Sequence, residues 1–338
     1  MQTHQNEILN IRDLEIGYFF SKKKKRSIFS DINLTAKKGE LIVLIGENGI
    51  GKSTLLRSIA KLQKSLQGSI LISGQCIKTI PRNEFAKKVS FVSTEIINVN
   101  NFKVHDLVSL GRFPYTNWLG KLNAEDLQLV HQALSMVGMK EYANKNVNEI
   151  SDGERQRVMI ARTLAQDTEI IVLDEPTAFL DLPNKYEIVH ILNHMSKTKN
   201  KTIIISTHEL NIAIHEADKI WLMISDHIVE GAPEDLILNR SFGKIFENSK
   251  LVFDINKGDF RVEKENGFRI GLYGHGTEYF WTKKALERLN FIVSPDESLN
   301  LKIIINNEKD RIQWICQKKQ EKIIFNSIYD LSLHLKNL

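Results

Sequence analysis

The segment GENGIGKST, Gly46 to Thr54, has glycines, a lysine and hydroxyl residues at the spacing GxxxxGK[ST]. Glycines allow a loop to wrap its backbone N–H groups around a phosphate. Lys52 at this position would reach the β- and γ-phosphates of a nucleotide, and the Ser53 hydroxyl would ligate Mg²⁺. The predicted phosphate-binding loop comprises Gly46, Glu47, Asn48, Gly49, Ile50, Gly51, Lys52, Ser53 and Thr54.

Two adjacent acidic residues follow another apolar run, in the segment EIIVLDEP. A solvated strand end is the simplest explanation for such a pair, but a phosphate-binding loop in the same chain favours a metal and water site. Asp174 is predicted to hold Mg²⁺, and Glu175 to act as general base toward the attacking water. The loop and the two acids together predict hydrolysis of a nucleotide.

A second candidate anion site occurs in ISDGERQR, Ile150 to Arg157. Ser151 and Glu154 have the spacing of a capping box, and apolar residues recur behind them at helical spacing. The segment is therefore predicted to begin a helix, whose free N–H groups and positive dipole end suit an anion. These residues alone do not explain why one chain has two such sites.

The elements around these segments follow the alternating order of an α/β domain with a parallel sheet. GELIVLI, just before the loop, is apolar without alternation, which predicts a strand buried on both faces. EIIVLDEP and KTIIIST are predicted strands on either side of the helix KYEIVHILNHMSK, and residues 102–165 are predicted to be largely helical. The helix after the loop is predicted to bury a stripe formed by Leu55, Leu56, Ile59 and Leu62.

The pattern of strands and helices restarts near residue 255. We predict a first domain at residues 1–255 and a small α+β domain at residues 260–338. In the second domain, GLYGHGTEYFW joins a strand to a helix, and Gly274 and Gly276 are predicted to form a tight turn rather than a ligand site. We expect an accessory or regulatory role that is separable from catalysis.

Composition limits the classes of function. The 338 residues include 46 basic and 41 acidic side chains, and a net charge of +5 is too small to indicate nucleic acid as a partner. The basic cluster Lys22 to Arg26 is predicted to be a solvated loop, with contact to anionic lipid or a partner as the alternative. Cys76 and Cys316 lack metal-binding spacing and fit a reducing compartment. The sequence shows neither a membrane-spanning run nor the features of a signal peptide.

In their order, these segments resemble the ATP-binding subunits of ABC transporters over about residues 8–255. ISDGERQ resembles the family's LSGGQ signature, and TAFLD resembles the loop that follows its catalytic glutamate. The resemblance implies a P-loop NTPase fold of ABC ATPase type, an α/β fold with a mixed sheet core and a helical signature subdomain at about residues 102–165. It also implies ATP as the nucleotide, Mg²⁺ as cofactor and ATP hydrolysis as the activity.

Further residue roles come from this resemblance. Tyr18 in EIGYFF matches the aromatic residue that stacks on adenine, Asp181 matches the acid of the loop after the catalytic glutamate, and His208 in STHEL matches the switch histidine. The family forms head-to-tail dimers, in which each signature helix closes over the γ-phosphate that the other subunit holds. The signature residues that would meet the partner's ATP are Ser151, Asp152, Gly153 and Glu154.

Two positions depart from the family pattern. Asp152 stands where glycine is usual, and because a carboxylate would repel a phosphate, its side chain is expected to point away. Ser151 and the Gly153 N–H would then make the contacts. Thr94, in VSFVSTEII, stands where a glutamine usually couples the metal site to the membrane partner. Threonine is shorter and is expected to act through water, so direct ligation of Mg²⁺ is not implied there.

Two segments resemble a subgroup of importers for ferric siderophores, haem and cobalamin: VSLGRFPYTNW and HELNIAIHEADKIWLM. The resemblance favours import of an iron chelate, with haem or cobalamin as alternatives. It implies a second copy of the chain, integral membrane permease subunits and, indirectly, a periplasmic binding protein as partners, at the cytoplasmic face of the plasma membrane. The alternatives are a soluble ABC ATPase acting in assembly or regulation, and a non-hydrolysing regulator, which Glu175 and His208 disfavour.

Overall fold

The computed structural model describes residues 6–21, 24–93, 102–117, 120–246, 251–255, 258–262, 267–296, 298–308 and 311–338. The chain divides into two compact units, Met1–Arg261 and Val262–Leu338. The predicted boundary at residues 255–260 lies shortly before this division. Thr94 and two lysines of the basic cluster, Lys22 and Lys23, lie outside the described residues.

The first unit contains two main β-sheets and a short hairpin. Its strands are β1 (Glu7–Phe19), β2 (Lys25–Lys37), β3 (Leu41–Gly46), β4 (Gln67–Ile72), β5 (Gln75–Cys76), β6 (Val89–Val92), β7 (Ile170–Leu173), β8 (Thr202–Ser206), β9 (Lys219–Met223), β10 (Ile228–Gly231), β11 (Leu251–Asp254) and β12 (Asp259–Val262). The larger sheet has the order β10-β9-β3-β8-β7-β6, with β10 antiparallel to β9 and the other pairs parallel. The smaller sheet, β2-β1-β4-β5, is antiparallel.

The helices of this unit alternate with the parallel strands, which confirms the α/β prediction. They are α1 (Lys52–Ile59), α2 (Arg82–Lys88), α3 (Val104–Ser109), α4 (Ala124–Met136), α5 (Asp152–Ala165), α6 (Leu182–Lys199), α7 (Leu210–Glu216) and α8 (Pro233–Leu238). Short 3₁₀ segments occur at Leu110–Tyr115, Lys140–Tyr142, Val147–Glu149 and Ser241–Phe246. Residues 102–165 are thus helical where the structure describes them, apart from turns and connecting segments.

Strand β3 is buried along its whole length, as its continuous apolar sequence predicts. Leu41, Val43 and Ile45 face one core, which they share with the helical region and α6. Ile42 and Leu44 face a second core, which α1 and the antiparallel sheet complete. Each of these side chains stabilises the fold by about 1.5–3 kcal/mol through its removal from water. Two packed faces therefore fix the position of the loop that follows β3.

One detail of the predicted helix stripe is wrong. Leu55, Leu56 and Ile59 are buried, but the Leu62 side chain is 64% exposed. Helix α1 ends at Ile59, and Lys61 then adopts a left-handed backbone conformation with φ of 58°. Because the chain leaves the helix before Leu62, the helical period no longer decides which side this residue faces.

The second unit is a five-stranded sheet with two helices. Its elements are β13 (Phe268–Tyr273), α9 (Gly276–Arg288), β14 (Phe291–Ser294), β15 (Leu301–Glu308), β16 (Arg311–Lys318), β17 (Glu321–Phe325) and α10 (Ile328–Lys336). The strand order is β14-β13-β15-β16-β17, with β13 parallel to both neighbours and the last three strands antiparallel. Its core includes Leu286 of α9 and Leu331 of α10 together with Trp314 of the sheet.

The predicted turn before α9 fits the backbone. Gly274 and Gly276 have φ values of 146° and 76°, which L side chains rarely adopt. A Cβ at Gly274 would also approach Ile305 to 3.0 Å. The backbone conformation of this turn therefore accounts for glycine at both positions. Within the described residues, no helix is long and apolar enough to cross a membrane.

Candidate nucleotide site

The phosphate-binding loop lies between β3 and α1, as its sequence predicts. The buried strand ends at Gly46, and α1 begins at Lys52. Gly49 and Gly51 have φ values of 80° and 120°, so the loop depends on residues without a Cβ at these two positions. The loop therefore presents its backbone at the N-terminal end of a helix, where the dipole favours an anion.

The Lys52 side chain is held inside this loop. Its Nζ donates hydrogen bonds of 2.8 Å to the Gly46 carbonyl and 3.0 Å to the Glu47 carbonyl. Burial lowers the pKa of Lys52, while the nearby charges of Glu175 and Asp174 oppose this shift. An ammonium has three N–H donors, so one remains for a ligand in this arrangement. A bound phosphate would supply a counter-charge at this position.

The two acidic residues follow β7, whose four residues are all buried. Asp174 is only 2% exposed, and its Oδ1 accepts a 2.7 Å hydrogen bond from Ser206 Oγ. The same hydroxyl oxygen accepts a 2.9 Å hydrogen bond from the Glu175 N–H. Glu175 has a φ of 47°, a strained conformation for a residue with a Cβ. Ser206, at the end of β8, thus positions both acids at once.

Glu175 also pairs with His208. The His208 Nε2 atom contacts Glu175 Oε1, and both side chains are partly open to solvent. His208 lies two residues after the end of β8, and Glu175 lies two residues after the end of β7. These two neighbouring parallel strands therefore bring the two side chains to one edge of the sheet. A carboxylate and an imidazole in contact can hold and move a proton between them.

Tyr18, the loop and Glu175 line one cavity of about 640 Å³. The Tyr18 side chain is 47% exposed at the end of β1, so it is not a core residue. Volumes of this size accommodate small organic ligands. The lining residues are Tyr18, Arg26, Ser27, Ile28, Phe29, Asn48, Gly49, Ile50, Gly51, Lys52, Ser53, Thr54, Glu175 and Ser225.

The donors near the loop suit Mg²⁺ in kind. Ser53 supplies a hydroxyl oxygen and Asp174 a carboxylate oxygen, and both are hard ligands of the type that Mg²⁺ prefers. Among the described residues, no group of three or more His, Cys, Asp or Glu side chains is placed to hold a metal. A site with so few protein ligands fits a cation that retains water and shares phosphate oxygens with a nucleotide.

The second candidate anion site is a capped helix N-terminus. Ser151 Oγ accepts a 3.3 Å hydrogen bond from the Glu154 N–H, and Glu154 Oε2 accepts a 2.8 Å bond from the Ser151 N–H. These two bonds form the predicted capping box of α5. The hydrogen bond from the Ser151 backbone is the main cause of a lowered pKa for Glu154.

The Asp152 side chain is engaged within its own helix. Its Oδ1 accepts a 3.1 Å hydrogen bond from Arg155 Nη1, and more than half of the carboxylate side chain is exposed. Gly153 packs closely, since a Cβ there would lie 3.3 Å from the Phe179 carbonyl oxygen. Asp181 caps the next helix, α6, by accepting a 3.1 Å bond from the Asn184 N–H. The signature segment and the loop before α6 are therefore neighbours within one chain.

The two anion sites remain separate in a single chain. Neither Ser151 nor any other residue of the signature segment, 151–154, lines the cavity around Lys52. Each candidate site therefore has its own set of donors, and the two sets do not border one cavity within the chain. Thr94, predicted to lie near the metal, is outside the described residues.

Arg112, in the GRFP segment, is a structural residue that the sequence did not reveal as one. Its Nε donates a 2.9 Å hydrogen bond to Asp126 Oδ1, and both residues are buried. Its Nη1 donates a 3.0 Å bond to the Ala165 carbonyl, and its guanidinium lies 3.9 Å from the centre of the Tyr115 ring. Arg112 therefore joins α4 to the end of α5, which begins with the signature.

Comparison with known families gives two matches along the chain. Residues 29–178 match the model described as ABC transporter. Residues 267–336 match the model described as iron ABC transporter C-terminal domain. The two matches fall in the first and second compact units, respectively.

Among curated proteins, the chain is 38% identical over 237 residues to the petrobactin import ATP-binding protein FpuD of Bacillus anthracis, covering 70% of this chain and 82% of that protein. It is 39% identical over 230 residues to the achromobactin transport ATP-binding protein CbrD of Dickeya dadantii, covering 67% and 82%. Among solved structures, the dimeric ABC transporter cassette MJ0796 matches with a TM-score of 0.60 and 25% identity, covering 67% of this chain and 99% of that one. The same cassette has also been solved as a dimer in a post-hydrolysis state with ADP and Pi.

Proposed function

Because this chain belongs to the ATP-binding proteins of ABC transporters, we propose that it is the ATP-hydrolysing subunit of an importer for an iron chelate. The main support for this proposal is the cavity that Tyr18, the phosphate-binding loop and Glu175 line together. It places an aromatic ring, phosphate donors and a carboxylate along one ligand-sized space. This arrangement matches the parts of an ATP molecule from the base to the γ-phosphate.

The phosphate-binding loop holds the phosphates, and Asp174 and Glu175 act on the metal and on the attacking water. Backbone N–H groups between Gly46 and Thr54 bind the phosphates, while Tyr18 stacks on the adenine. Lys52 turns its free N–H toward the β- and γ-phosphates. Ser53 and Asp174 would hold Mg²⁺, which neutralises phosphate charge when it is bound.

Glu175 acts as the general base. Its carboxylate takes a proton from the attacking water, and the contact with His208 keeps it oriented toward that water. The Ser206 hydroxyl, which bonds both Asp174 and the Glu175 backbone, fixes the distance between the metal-binding group and the base. Ser206 is thus a positioning residue.

A second copy of the chain completes the site. The signature residues Ser151 and Gly153 lie at a helix N-terminus that does not line the cavity around Lys52 of the same chain. In a head-to-tail dimer, this terminus donates to the γ-phosphate held by the partner. The Asp152 carboxylate stays with Arg155 and away from that phosphate. Asp181 lies in the loop next to the signature and belongs to the same dimer contact.

The cargo is proposed from the relatives. FpuD and CbrD are named for import of petrobactin and transport of achromobactin, and residues 267–336 match a domain described for iron ABC transporters. We therefore place an iron chelate ahead of haem or cobalamin. The chain would bind integral membrane permease subunits at the cytoplasmic face of the membrane, with a periplasmic binding protein delivering cargo. Thr94 would act between the metal site and the permease.

Uptake measurements test this proposal. Cells that lack the chain should lose accumulation of ⁵⁵Fe supplied as ferric siderophores, and the wild-type chain should restore it while Lys52→Ala should not. Haem and cobalamin uptake in the same cells should be unaffected. Normal uptake of all three cargoes, with the chain absent from the membrane fraction, would instead favour a soluble ABC ATPase acting in assembly or regulation.

A further inference from the structure

A second cavity of about 560 Å³ lies in the antiparallel part of the first unit. It is bordered by the end of α1 and the segment after it, by strand β4, by the residues that follow β5 and by the start of α2. Its floor is apolar and buried, since Ile70 is 2% and Ile77 6% exposed. Ser58, on the last turn of α1, is also buried. The lining residues are Ser58, Lys61, Gln63, Lys64, Ser65, Ile70, Ile77, Lys78 and Arg82.

The rim of this cavity is strongly basic. Four of its nine lining residues are cations, Lys61, Lys64, Lys78 and Arg82, and none is acidic. Within the described ranges, no ion pair involves any of these four side chains. Four positive charges around one cavity repel each other, and dissolved salt screens this repulsion only in part. The lining residues therefore supply no negative charge to balance these cations, and the rim would attract an anionic ligand.

Two of the lysines are held over the cavity by backbone carbonyls. Lys61 Nζ donates a 2.6 Å hydrogen bond to the Ile80 carbonyl, and Lys78 Nζ donates a 3.1 Å bond to the Gly68 carbonyl. Each ammonium keeps two further N–H donors. These bonds reduce the freedom of the long side chains before any ligand arrives, which lowers the entropy lost on binding.

The backbone at Lys61 also directs this side chain. Lys61 has a φ of 58°, a left-handed conformation that costs free energy for a residue with a Cβ. Its ammonium lies 5.5 Å from the centre of the ring of Phe85, a buried residue of α2. The strained turn at the end of α1 thus directs a cation to the rim and leaves Leu62 in solvent.

We propose that this cavity binds a phosphate-bearing anion at a site distinct from the ATP site. Lysine and arginine are the usual side-chain ligands of phosphate, and the volume suits a small ligand. The Ser65 hydroxyl adds a neutral donor, and the floor of Ile70 and Ile77 accepts an uncharged part of the ligand. None of the lining residues lines the cavity around Lys52.

A titration calorimetry experiment on the full-length chain tests this proposal. The probe is inorganic pyrophosphate. The ATP site is first filled with a non-hydrolysable ATP analogue and Mg²⁺, so that pyrophosphate cannot bind to the phosphate-binding loop. Lys78→Glu/Arg82→Glu is compared with Lys121→Glu/Lys140→Glu, which changes net charge equally at exposed positions elsewhere. Wild type and control should bind pyrophosphate, and the cavity variant should bind at least about tenfold more weakly. If the cavity variant does not fold, Lys78→Gln/Arg82→Gln replaces it.

A second arm identifies the source of the phosphate. The same proteins are sedimented with vesicles of phosphatidylcholine, with and without phosphatidylglycerol. Pyrophosphate binding that depends on the cavity supports a soluble anion, and vesicle binding that depends on the cavity supports a lipid headgroup. Equal behaviour of cavity variant and control in both arms, or no binding in either, would overturn the proposal. ATP hydrolysis without any probe should be unchanged, so failure here leaves the transport proposal intact.

Discussion

Ser206 Oγ donates a 2.7 Å hydrogen bond to Asp174 Oδ1, and the same oxygen accepts a 2.9 Å bond from the backbone N–H of the next acid, Glu175. One buried hydroxyl at the end of β8 therefore fixes two residues at the end of β7. If Asp174 holds the metal and Glu175 acts as the base, as we propose, this bridge bears on catalysis as well as on stability, because hydrolysis needs the two in a defined relation.

Replacing Ser206 by alanine should separate these two effects. Ser206→Ala removes a hydrogen bond to a charged group, and we expect kcat for ATP hydrolysis to fall roughly tenfold to a hundredfold. Ser196→Ala is the matched control, since Ser196 is buried and its Oγ donates only to the Asn193 carbonyl. Both variants should lose about 1–2 kcal/mol of unfolding free energy in urea titration. Equal kcat in the two variants would remove Ser206 from the catalytic account.

Lys52→Ala should abolish hydrolysis and weaken ATP binding. The variant removes the one buried ammonium of the loop, which donates to the Gly46 and Glu47 carbonyls and would face the phosphates. We expect a loss of at least about a hundredfold in kcat/KM, measured by phosphate release with Mg²⁺. Lys121→Ala, an exposed lysine outside the site, should behave as wild type. Unchanged turnover in Lys52→Ala would mean that the loop is not the site.

Arg112→Met should destabilise the first unit by about 3–5 kcal/mol, because it leaves the buried carboxylate of Asp126 without its partner. Adding Asp126→Leu should recover part of that loss, since the unpaired charge is then gone, although the hydrogen bond that the Asn123 N–H donates to this carboxylate at the start of α4 is lost with it. Chemical denaturation of the two variants measures both effects. If the double variant were less stable than the single one, the pair would have a role beyond charge neutralisation.

The second compact unit should be separable from catalysis. A chain that ends at Val262, after β12, should fold and hydrolyse ATP at a rate within about threefold of wild type, because every proposed site residue lies in the first unit. Circular dichroism and phosphate release check the two halves of this prediction. A folded but inactive fragment would show that residues 263–338 take part in the ATPase cycle.

Local patterns in the sequence predicted the positions of most residues of the proposed site. Lys52 and Ser53 follow a buried strand and begin a helix, and Asp174 and Glu175 end another strand, so spacing alone placed each pair. Ser206 was missed because its partners are 31 and 32 residues away, and a serine after an apolar run has no distinctive pattern. β7 and β8 are neighbouring parallel strands, so their carboxyl ends meet at one edge of the sheet, and this was the signal that could have brought Ser206 close to the two acids.

The wrong prediction for Leu62 and the unpredicted ion pair of Arg112 have different physical causes. Leu62 continued the helical period of α1, but the left-handed turn at Lys61 ends the helix first. In the sequence, Arg112 is recognisable only as part of a subgroup motif, and its buried bond to Asp126 depends on the packing of α4 against the end of α5. Periodicity describes single elements, and it does not show which of them meet.

We propose that each ATP lies between the loop of one copy and the signature helix of another. Glu175→Gln removes the base but leaves the phosphate ligands, so hydrolysis should fall by about a hundredfold or more while ATP binding persists. The bound γ-phosphate should then hold two copies together. Ser151→Arg added to this variant should abolish the dimer without affecting ATP binding, because Ser151 lies outside the cavity of its own chain.

The decisive measurement is the mass of Glu175→Gln by size exclusion with light scattering, with and without ATP. We expect about twice the 38.8 kDa chain mass with ATP and one chain mass without it. For Glu175→Gln/Ser151→Arg we expect one chain mass under both conditions, with ATP binding retained. An ATP-dependent dimer of this double variant would contradict the composite site.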